Sequence, residues 1–89
     1  MEKAVIITVF GRVQGVGFRY YTQKRAQELN LKGFVRNKAN GSVYIEAEGE
    51  ETNLELFVYW CKNGPDSSRV LNMDYQYCNV FGYEDFKVK

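Results

Sequence analysis

Residues 33–48 read Gly-Phe-Val-Arg-Asn-Lys-Ala-Asn-Gly-Ser-Val-Tyr-Ile-Glu-Ala-Glu and predict a β-hairpin. The dipeptide Asn40-Gly41 is the strongest short signal for a hairpin turn. After the turn the chain alternates, with apolar residues at 43, 45 and 47 and Tyr or Glu at 44, 46 and 48. This alternation is typical of an antiparallel sheet with one face on the core and the other toward water.

A helix is predicted on each side of this hairpin. The first runs from Phe18 to Asn30, because Asn30 is a suitable left-handed stop. The second begins at a capping box made by Thr52 and Glu55 and ends before Gly64-Pro65. Each helix has an apolar face. In the first helix this face comprises Phe18, Ala26 and Leu29, and the outer face carries Gln23, Lys24 and Gln27. In the second helix the apolar face comprises Leu54, Phe57, Val58 and Cys61.

Three further segments predict strands. Ala4–Phe10 is β-branched and apolar on both faces, which favours a central buried strand. Val70–Val80 predicts another, with a bulge because Val70 and Met73 have opposite parity. Phe86–Val88 predicts a short edge strand. The order β-α-β-β-α-β, with both helices on one face of an antiparallel sheet, predicts an α+β fold of the ferredoxin-like split β-α-β type, in one domain over residues 1–89.

Composition limits the chemistry open to this chain. Twelve Lys and Arg against eleven Asp and Glu leave a net charge of +1, which gives no general attraction to nucleic acid or to an anionic membrane. There is no histidine and there are only two cysteines, Cys61 and Cys78, so a Cys/His zinc site and a disulfide framework are excluded. The longest apolar run is too short to span a membrane and no signal-peptide pattern precedes it. We expect a reduced, cytoplasmic protein and, since no long apolar surface stripe is visible, a monomer.

A glycine-rich loop, Gly11-Arg-Val-Gln-Gly-Val-Gly-Phe-Arg19, joins the first strand to the first helix. Glycines permit positive φ, so successive N–H groups can face one centre, and the helix N-terminus adds its own free N–H groups. Arg19 can add two parallel charged hydrogen bonds. The loop lacks the glycine that a dinucleotide fingerprint needs at Tyr20 and lacks Gly-Lys-Ser/Thr. From these residues alone, an oxyanion cradle and a plain connecting loop both stay open.

Asn37 ends the second predicted strand. In a β-α-β crossover the carboxyl ends of the two strands lie at one edge of the sheet, so Asn37 is expected beside the glycine-rich loop. An amide can hold a water there without repelling an anion. A turn-promoting residue ahead of Asn40-Gly41 is an equal alternative.

The strings Gly-Arg-Val-Gln-Gly-Val-Gly-Phe-Arg19 and Gly33-x-Val35-x-Asn37 resemble the acylphosphatase family, and the resemblance extends over nearly the whole chain. It implies hydrolysis of acyl phosphates to carboxylate and inorganic phosphate, by direct water attack and without metal or other cofactor. It implies Arg19 and Asn37 as the catalytic residues. The backbone cradle that it implies for phosphate comprises Gln14, Gly15, Val16, Gly17, Phe18 and Arg19. Asn30 and Asn40 replace the family's frequent glycine and aspartate, and both tolerate left-handed φ.

Two alternatives belong to other functional classes. An RNA-recognition module shares this fold, and Lys32-Gly33-Phe34-Val35 imitates the start of its aromatic signature. The following residues supply no stacking aromatics, and the segment lies on the second strand rather than the third. A catalytically silent interaction domain is the other alternative; the presence of Arg19 and Asn37 argues against it.

Overall fold

The computed structural model describes residues 1–89 and contains five strands and two helices. In chain order they are β1 (Glu2–Arg12), α1 (Phe18–Glu28), β2 (Lys32–Asn37), β3 (Val43–Glu50), α2 (Glu51–Asn63), β4 (Arg69–Cys78) and β5 (Phe86–Val88). The sheet has the order β4-β1-β3-β2-β5, so β3 lies between β1 and β2. This is the split β-α-β arrangement of a ferredoxin-like α+β fold, as predicted.

One strand departs from the predicted antiparallel sheet. β5 is an edge strand, as expected, but it pairs in parallel with β2, with Gly33 opposite Phe86 and Val35 opposite Val88. β4 lies at the far edge of the sheet, and the segment 79–85 therefore has to cross the sheet before β5 begins. This crossing delivers the chain to the opposite edge in the direction of β2, which makes the sheet mixed.

Both helices cover one face of the sheet and share a single core of sixteen buried residues. The predicted stripe of α2 is fully confirmed, because Leu54, Phe57, Val58 and Cys61 are all buried. The central position of β1 is also confirmed, but its two faces differ in burial. Val5, Ile7 and Val9 are buried on the helix side, whereas on the other face Ala4 is buried and residues 6, 8 and 10 are half-buried. No helix covers that second face.

Helix α1 ends at Glu28, two residues earlier than predicted, and Asn30 takes the expected left-handed conformation with φ 56°. The buried residues of α1 are Phe18, Thr22 and Ala26. Gln23 is not on an outer face as predicted: it is half-buried, and its Nε2 donates to the Phe86 carbonyl at 2.9 Å. The parallel docking of β5 beside α1 is what covers it.

The predicted capping box of α2 is wrong. The helix begins at Glu51, directly after β3, and no side chain caps it. Because strand and helix are continuous, the first helical N–H finds a backbone partner instead: Glu51 N donates to the Met1 carbonyl at 3.1 Å. Thr52 is therefore already inside the helix. The predicted end is confirmed, since Gly64 forms the C-cap with φ 67°.

The predicted bulge lies in β4. Phe10 pairs with Asn72 and Gly11 pairs with Val70, so Leu71 is an extra residue without a partner. The shift resets the side-chain alternation, and Val70 and Met73 consequently both pack against the core. Leu71 itself is exposed.

One predicted solvent-facing residue is buried. Glu48 keeps only 6% of its accessible surface. Its carboxylate accepts hydrogen bonds from the N–H groups of Phe81, Gly82 and Tyr83, at 2.7 to 3.2 Å. The crossing segment, residues 79–85, covers this part of the open face. The alternation along β3 cannot predict this, because it does not show which distant segment packs on the strand.

Candidate active site

The loop between β1 and α1 has the backbone shape of an anion cradle. Gly15 and Gly17 adopt left-handed conformations with φ 74° and φ 79°. Gly17 is also the N-cap residue of α1, and no side chain caps that helix. The first amides of a helix have no partner within the helix, and they carry the positive end of its dipole. The loop and the helix terminus therefore present free N–H donors together.

A pocket of about 300 Å³ opens between this loop, the end of β2 and the end of β5. It brings together most of the predicted site. Its lining comprises Val13, Gly15, Gly17, Phe18, Arg19, Tyr20, Gln23, Asn37 and Val88. None of these nine residues is acidic, so the charge of Arg19 is not neutralised within the pocket.

Arg19 is half-buried in the first turn of α1. Its Nη1 donates one hydrogen bond, to the main-chain oxygen of Lys89 at 3.2 Å. A guanidinium has five N–H donors in a rigid plane, and this contact uses one of them and leaves the others for a ligand. The arrangement suits a tetrahedral anion that is bound at two of its oxygens.

Asn37 supplies an unsatisfied acceptor to the same pocket. Its Oδ1 is buried and has no hydrogen-bond partner in the protein. Buried polar atoms are almost always paired, because an unpaired one costs about 1–3 kcal/mol. An acceptor left free beside a cationic pocket is suited to a water molecule or a substrate donor. Its position at the end of β2 is the one that the crossover argument predicts.

Two predicted cradle residues, Gln14 and Val16, do not line the pocket. The amide of Gln14 is turned away toward the β2–β3 turn, where its Nε2 donates to the carbonyls of Lys38 and Ser42. Val16 packs against the core, and its carbonyl accepts a hydrogen bond from the Ser67 hydroxyl at 2.6 Å. Their predicted contribution through backbone N–H groups stays a prediction.

Four pocket residues were not among the predicted site residues: Val13, Tyr20, Gln23 and Val88. Gln23 follows Arg19 by four residues, so helical spacing was an available signal for a shared face. Val88 had no signal, since nothing local places β5 beside β2. Arg12, at the start of the glycine-rich loop, is exposed and pairs with Arg69 in the sheet rather than lining the pocket.

A larger depression, of about 510 Å³, lies between α1 and the segment after α2. It mixes both charges, with Lys24 and Arg25 near Glu28 and Asp66. It contains neither Arg19 nor Asn37, nor any residue of the glycine-rich loop. The smaller pocket therefore carries the predicted chemistry despite its size.

Two structural findings concern metal ligands and helix length. The chain has no group of three or more Cys, Asp and Glu side chains placed to hold a metal ion. Neither helix has the length and apolar composition needed to cross a membrane. Cys61 and Cys78 are unpaired, and burial raises the pKa of the Cys61 thiol, which keeps this core residue protonated.

Several aromatic side chains around β2 and β3 make contacts within the protein. The Phe34 ring packs 5.9 Å from the rings of Tyr44 and Tyr83, and Lys89 Nζ lies 4.3 Å from its centre. The hydroxyl of Tyr44 donates to Glu46, and burial together with this bond raises the pKa of Tyr44 to about 12. These aromatic side chains are engaged with one another and with a carboxylate.

Comparison with known proteins supports one assignment. The family model described as Acylphosphatase matches residues 5–88. An acylphosphatase from Thermotoga maritima is 46% identical over 87 residues, which cover 98% of this chain and 97% of the relative. The acylphosphatase structure from Coxiella burnetii superposes with a TM-score of 0.94 at 38% identity, covering 99% of this chain and 93% of that one. The structure from Bacillus subtilis gives 0.91 at 41% identity, covering 100% and 99%. Nothing in these matches supports an RNA-binding role, and the chain belongs to the acylphosphatase family.

Proposed function

We propose that the chain hydrolyses acyl phosphates in the pocket between the glycine-rich loop and β2, by direct attack of water on phosphorus. One observation carries the proposal: the buried, unpartnered Oδ1 of Asn37 shares an acid-free pocket with Arg19. A phosphoryl group bound to the cradle and a water bound to Asn37 then meet in one small space.

The reaction balances without a general acid. The water oxygen bonds to phosphorus while the bond from phosphorus to the acyl oxygen breaks, and the bonding electrons leave with the carboxylate. The products are a carboxylate and dihydrogen phosphate, which takes up both protons of the water. A carboxylate whose conjugate acid has a pKa of about 4 departs without being protonated, so a site that lacks histidine is adequate.

Arg19 and the backbone N–H groups of residues 14–19 have the electrostatic role. Phosphoryl transfer spreads charge over the phosphoryl oxygens, and fixed donors that meet those oxygens lower the barrier. Left-handed Gly15 and Gly17 and the uncapped start of α1 support this assignment for the backbone. The Lys89 contact is compatible with this role for Arg19, because it uses one N–H and leaves the other donors for the phosphoryl oxygens.

Asn37 has the orienting role. Its Oδ1 accepts a hydrogen bond from the attacking water and thereby directs the water's lone pair at phosphorus. A carboxylate here would repel the phosphoryl group, whereas an amide is neutral. We propose that this chemistry needs no metal ion, because Arg19 and the amides supply the positive field that a metal otherwise provides.

The proposed setting is a monomer in the reducing cytoplasm, acting on a small acyl phosphate and not on nucleic acid. Two unpaired cysteines, one of them buried in the core, support a reducing compartment. The net charge of +1 supports the absence of a nucleic-acid partner.

Phosphate release from benzoyl phosphate tests the function, with p-nitrophenyl phosphate and ATP as controls. We expect rapid phosphate release from benzoyl phosphate. We expect no release above background from the two controls, because the pocket lacks the general acid that a monoester needs and the contacts that would bind ATP. Equal rates on the monoester would contradict the leaving-group argument. No release from benzoyl phosphate would favour the silent interaction domain.

A further inference from the structure

The side chain of Gln14 joins the two halves of the pocket. Its Nε2 donates to the Lys38 carbonyl at 2.8 Å and to the Ser42 carbonyl at 2.9 Å. These are the only hydrogen bonds between residues 13–17 of the glycine-rich loop and residues 38–42 of the β2–β3 turn. The half-buried amide therefore spans from the proposed phosphate cradle to the hairpin that carries Asn37.

The two accepting carbonyls close the turn. Lys38 N donates to the Ser42 carbonyl at 2.9 Å, and Gly41 N donates to the Lys38 carbonyl at 3.1 Å. Each carbonyl thus accepts one hydrogen bond from the turn and one from Gln14. A single side-chain nitrogen with two N–H groups is needed to reach both acceptors, and a primary amide provides it without adding charge.

The position of these carbonyls relates the contact to Asn37. Asn37 pairs with Val43 across the hairpin. Lys38 follows Asn37 and Ser42 precedes Val43, so the Gln14 amide binds the backbone of both strands at the residues next to this pair. The strand ladders connect the two regions through β3, and Gln14 adds the only direct hydrogen bonds from the loop to the turn that follows Asn37.

We propose that Gln14 is a positioning residue that sets the proposed water-orienting amide of Asn37 against the phosphate cradle. The inference rests on the proposed function, since it assigns a partner to the role of Asn37. Without the two hydrogen bonds, the loop and the hairpin can shift relative to each other while each keeps its own shape. Phosphate binding should survive that shift, because the left-handed glycines and the start of α1 belong to the loop side alone. The alignment of water with phosphorus should not.

The test is a double-mutant cycle on benzoyl phosphate with Gln14→Met, Asn37→Ala and the double variant. Gln14→Met keeps the length of the side chain and removes both donors. We expect its kcat to fall about 10- to 100-fold, the size of loss that a misplacement of about 1 Å produces, while the inhibition constant of inorganic phosphate changes by less than about threefold. Gln27→Met, the same change on an exposed face of α1, is the control and should keep wild-type kcat.

The cycle separates positioning from general damage. If Gln14 acts through Asn37, adding Gln14→Met to Asn37→Ala should lower kcat by no more than about threefold further. Multiplying losses would overturn the positioning role while leaving the proposed function intact. Wild-type kcat in Asn37→Ala would instead refute the proposed function, and this inference with it.

Circular dichroism and thermal melting establish that each variant is folded before its kinetics are compared. Gln14→Ala removes the same donors and leaves room for water, so it repeats the cycle if Gln14→Met is unfolded. If neither variant folds, Gln14 is required for the fold itself and the positioning role is refuted.

Discussion

Asn37→Ala is expected to remove turnover without removing stability. Most substitutions of half-buried polar residues lower the free energy of unfolding, because they break hydrogen bonds that the native state makes. Asn37 differs because its buried Oδ1 makes no bond to the protein. Alanine eliminates an acceptor whose burial without a partner costs about 1–3 kcal/mol. The substitution also removes the packing of a few amide atoms, which contributes about 1 kcal/mol at most for a half-buried side chain.

The net change follows from these two opposing contributions. If the acceptor is dry in the resting enzyme, the free energy of unfolding should rise by up to about 2 kcal/mol. If a water already satisfies it, the change should be near zero. For a chain of this size about 1 kcal/mol shifts Tm by about 4–8 °C, so Tm should be unchanged or several degrees higher. The kcat on benzoyl phosphate should fall roughly 100-fold or more, with little change in inhibition by phosphate.

Asn40→Ala provides a matched control for stability in the same hairpin. The Oδ1 of Asn40 accepts hydrogen bonds from Ser42 N at 3.0 Å and from Ser42 Oγ at 2.6 Å. Losing them should lower the free energy of unfolding by about 1–2 kcal/mol. Urea denaturation of both variants gives the comparison. A loss above about 2 kcal/mol in Asn37→Ala would show that its amide holds the fold together, and would refute the assignment drawn from its missing partner.

Four further predictions concern the cradle and the crossing segment. Arg19→Ala should raise the inhibition constant of phosphate and lower kcat by several orders of magnitude. Arg19→Lys should not restore kcat, because an ammonium cannot make two parallel contacts in one plane. Steady-state kinetics with and without phosphate measure both quantities. Exhaustive chelation should leave the rate on benzoyl phosphate unchanged, and loss of the rate with recovery on adding Mg²⁺ would contradict the metal-free mechanism. Inorganic phosphate at about one hundred times its dissociation constant should stabilise the fold by about 2.7 kcal/mol in thermal melts; an equal effect of chloride at matched ionic strength would mean general screening. Glu48→Ala should lower the free energy of unfolding, measured in urea, by about 2 kcal/mol or more, because it leaves three backbone N–H groups without their acceptor. The control Glu50→Ala should change this free energy by less than about 0.5 kcal/mol, because the Glu50 ion pair is exposed.

The elements that sequence patterns predicted well are those whose signals are local. The stripe of α2 repeats four apolar positions at helical spacing, and all four are buried. The parity conflict between Val70 and Met73 predicted a bulge, and the extra residue is present at Leu71. Asn37 and Arg19 line one pocket because the crossover connection brings two strand ends to one edge.

The failures share a different cause. Alternation along β3 predicts which side chains share a face, but the partner of Glu48 comes from a segment more than thirty positions later in the chain. Gln23 was assigned to solvent because nothing local places β5 beside α1. The absent capping box of α2 is similar, since the Met1 carbonyl that replaces it comes from the residue just before β1. In each case a residue distant in sequence satisfies a polar group whose partner the local pattern could not specify.

Three polar side chains near the crossing segment and the proposed site differ in their hydrogen-bond partners. The Glu48 carboxylate is saturated by three backbone N–H groups, and it has no capacity left for a ligand. Both N–H groups of the Gln14 amide donate to backbone carbonyls, so this side chain can position the β2–β3 turn but has no N–H left for a substrate. The Asn37 Oδ1 is buried and has no protein partner. A fold retains an unsatisfied acceptor of that kind against a cost of about 1–3 kcal/mol, and the proposed water explains both its persistence and its place beside Arg19.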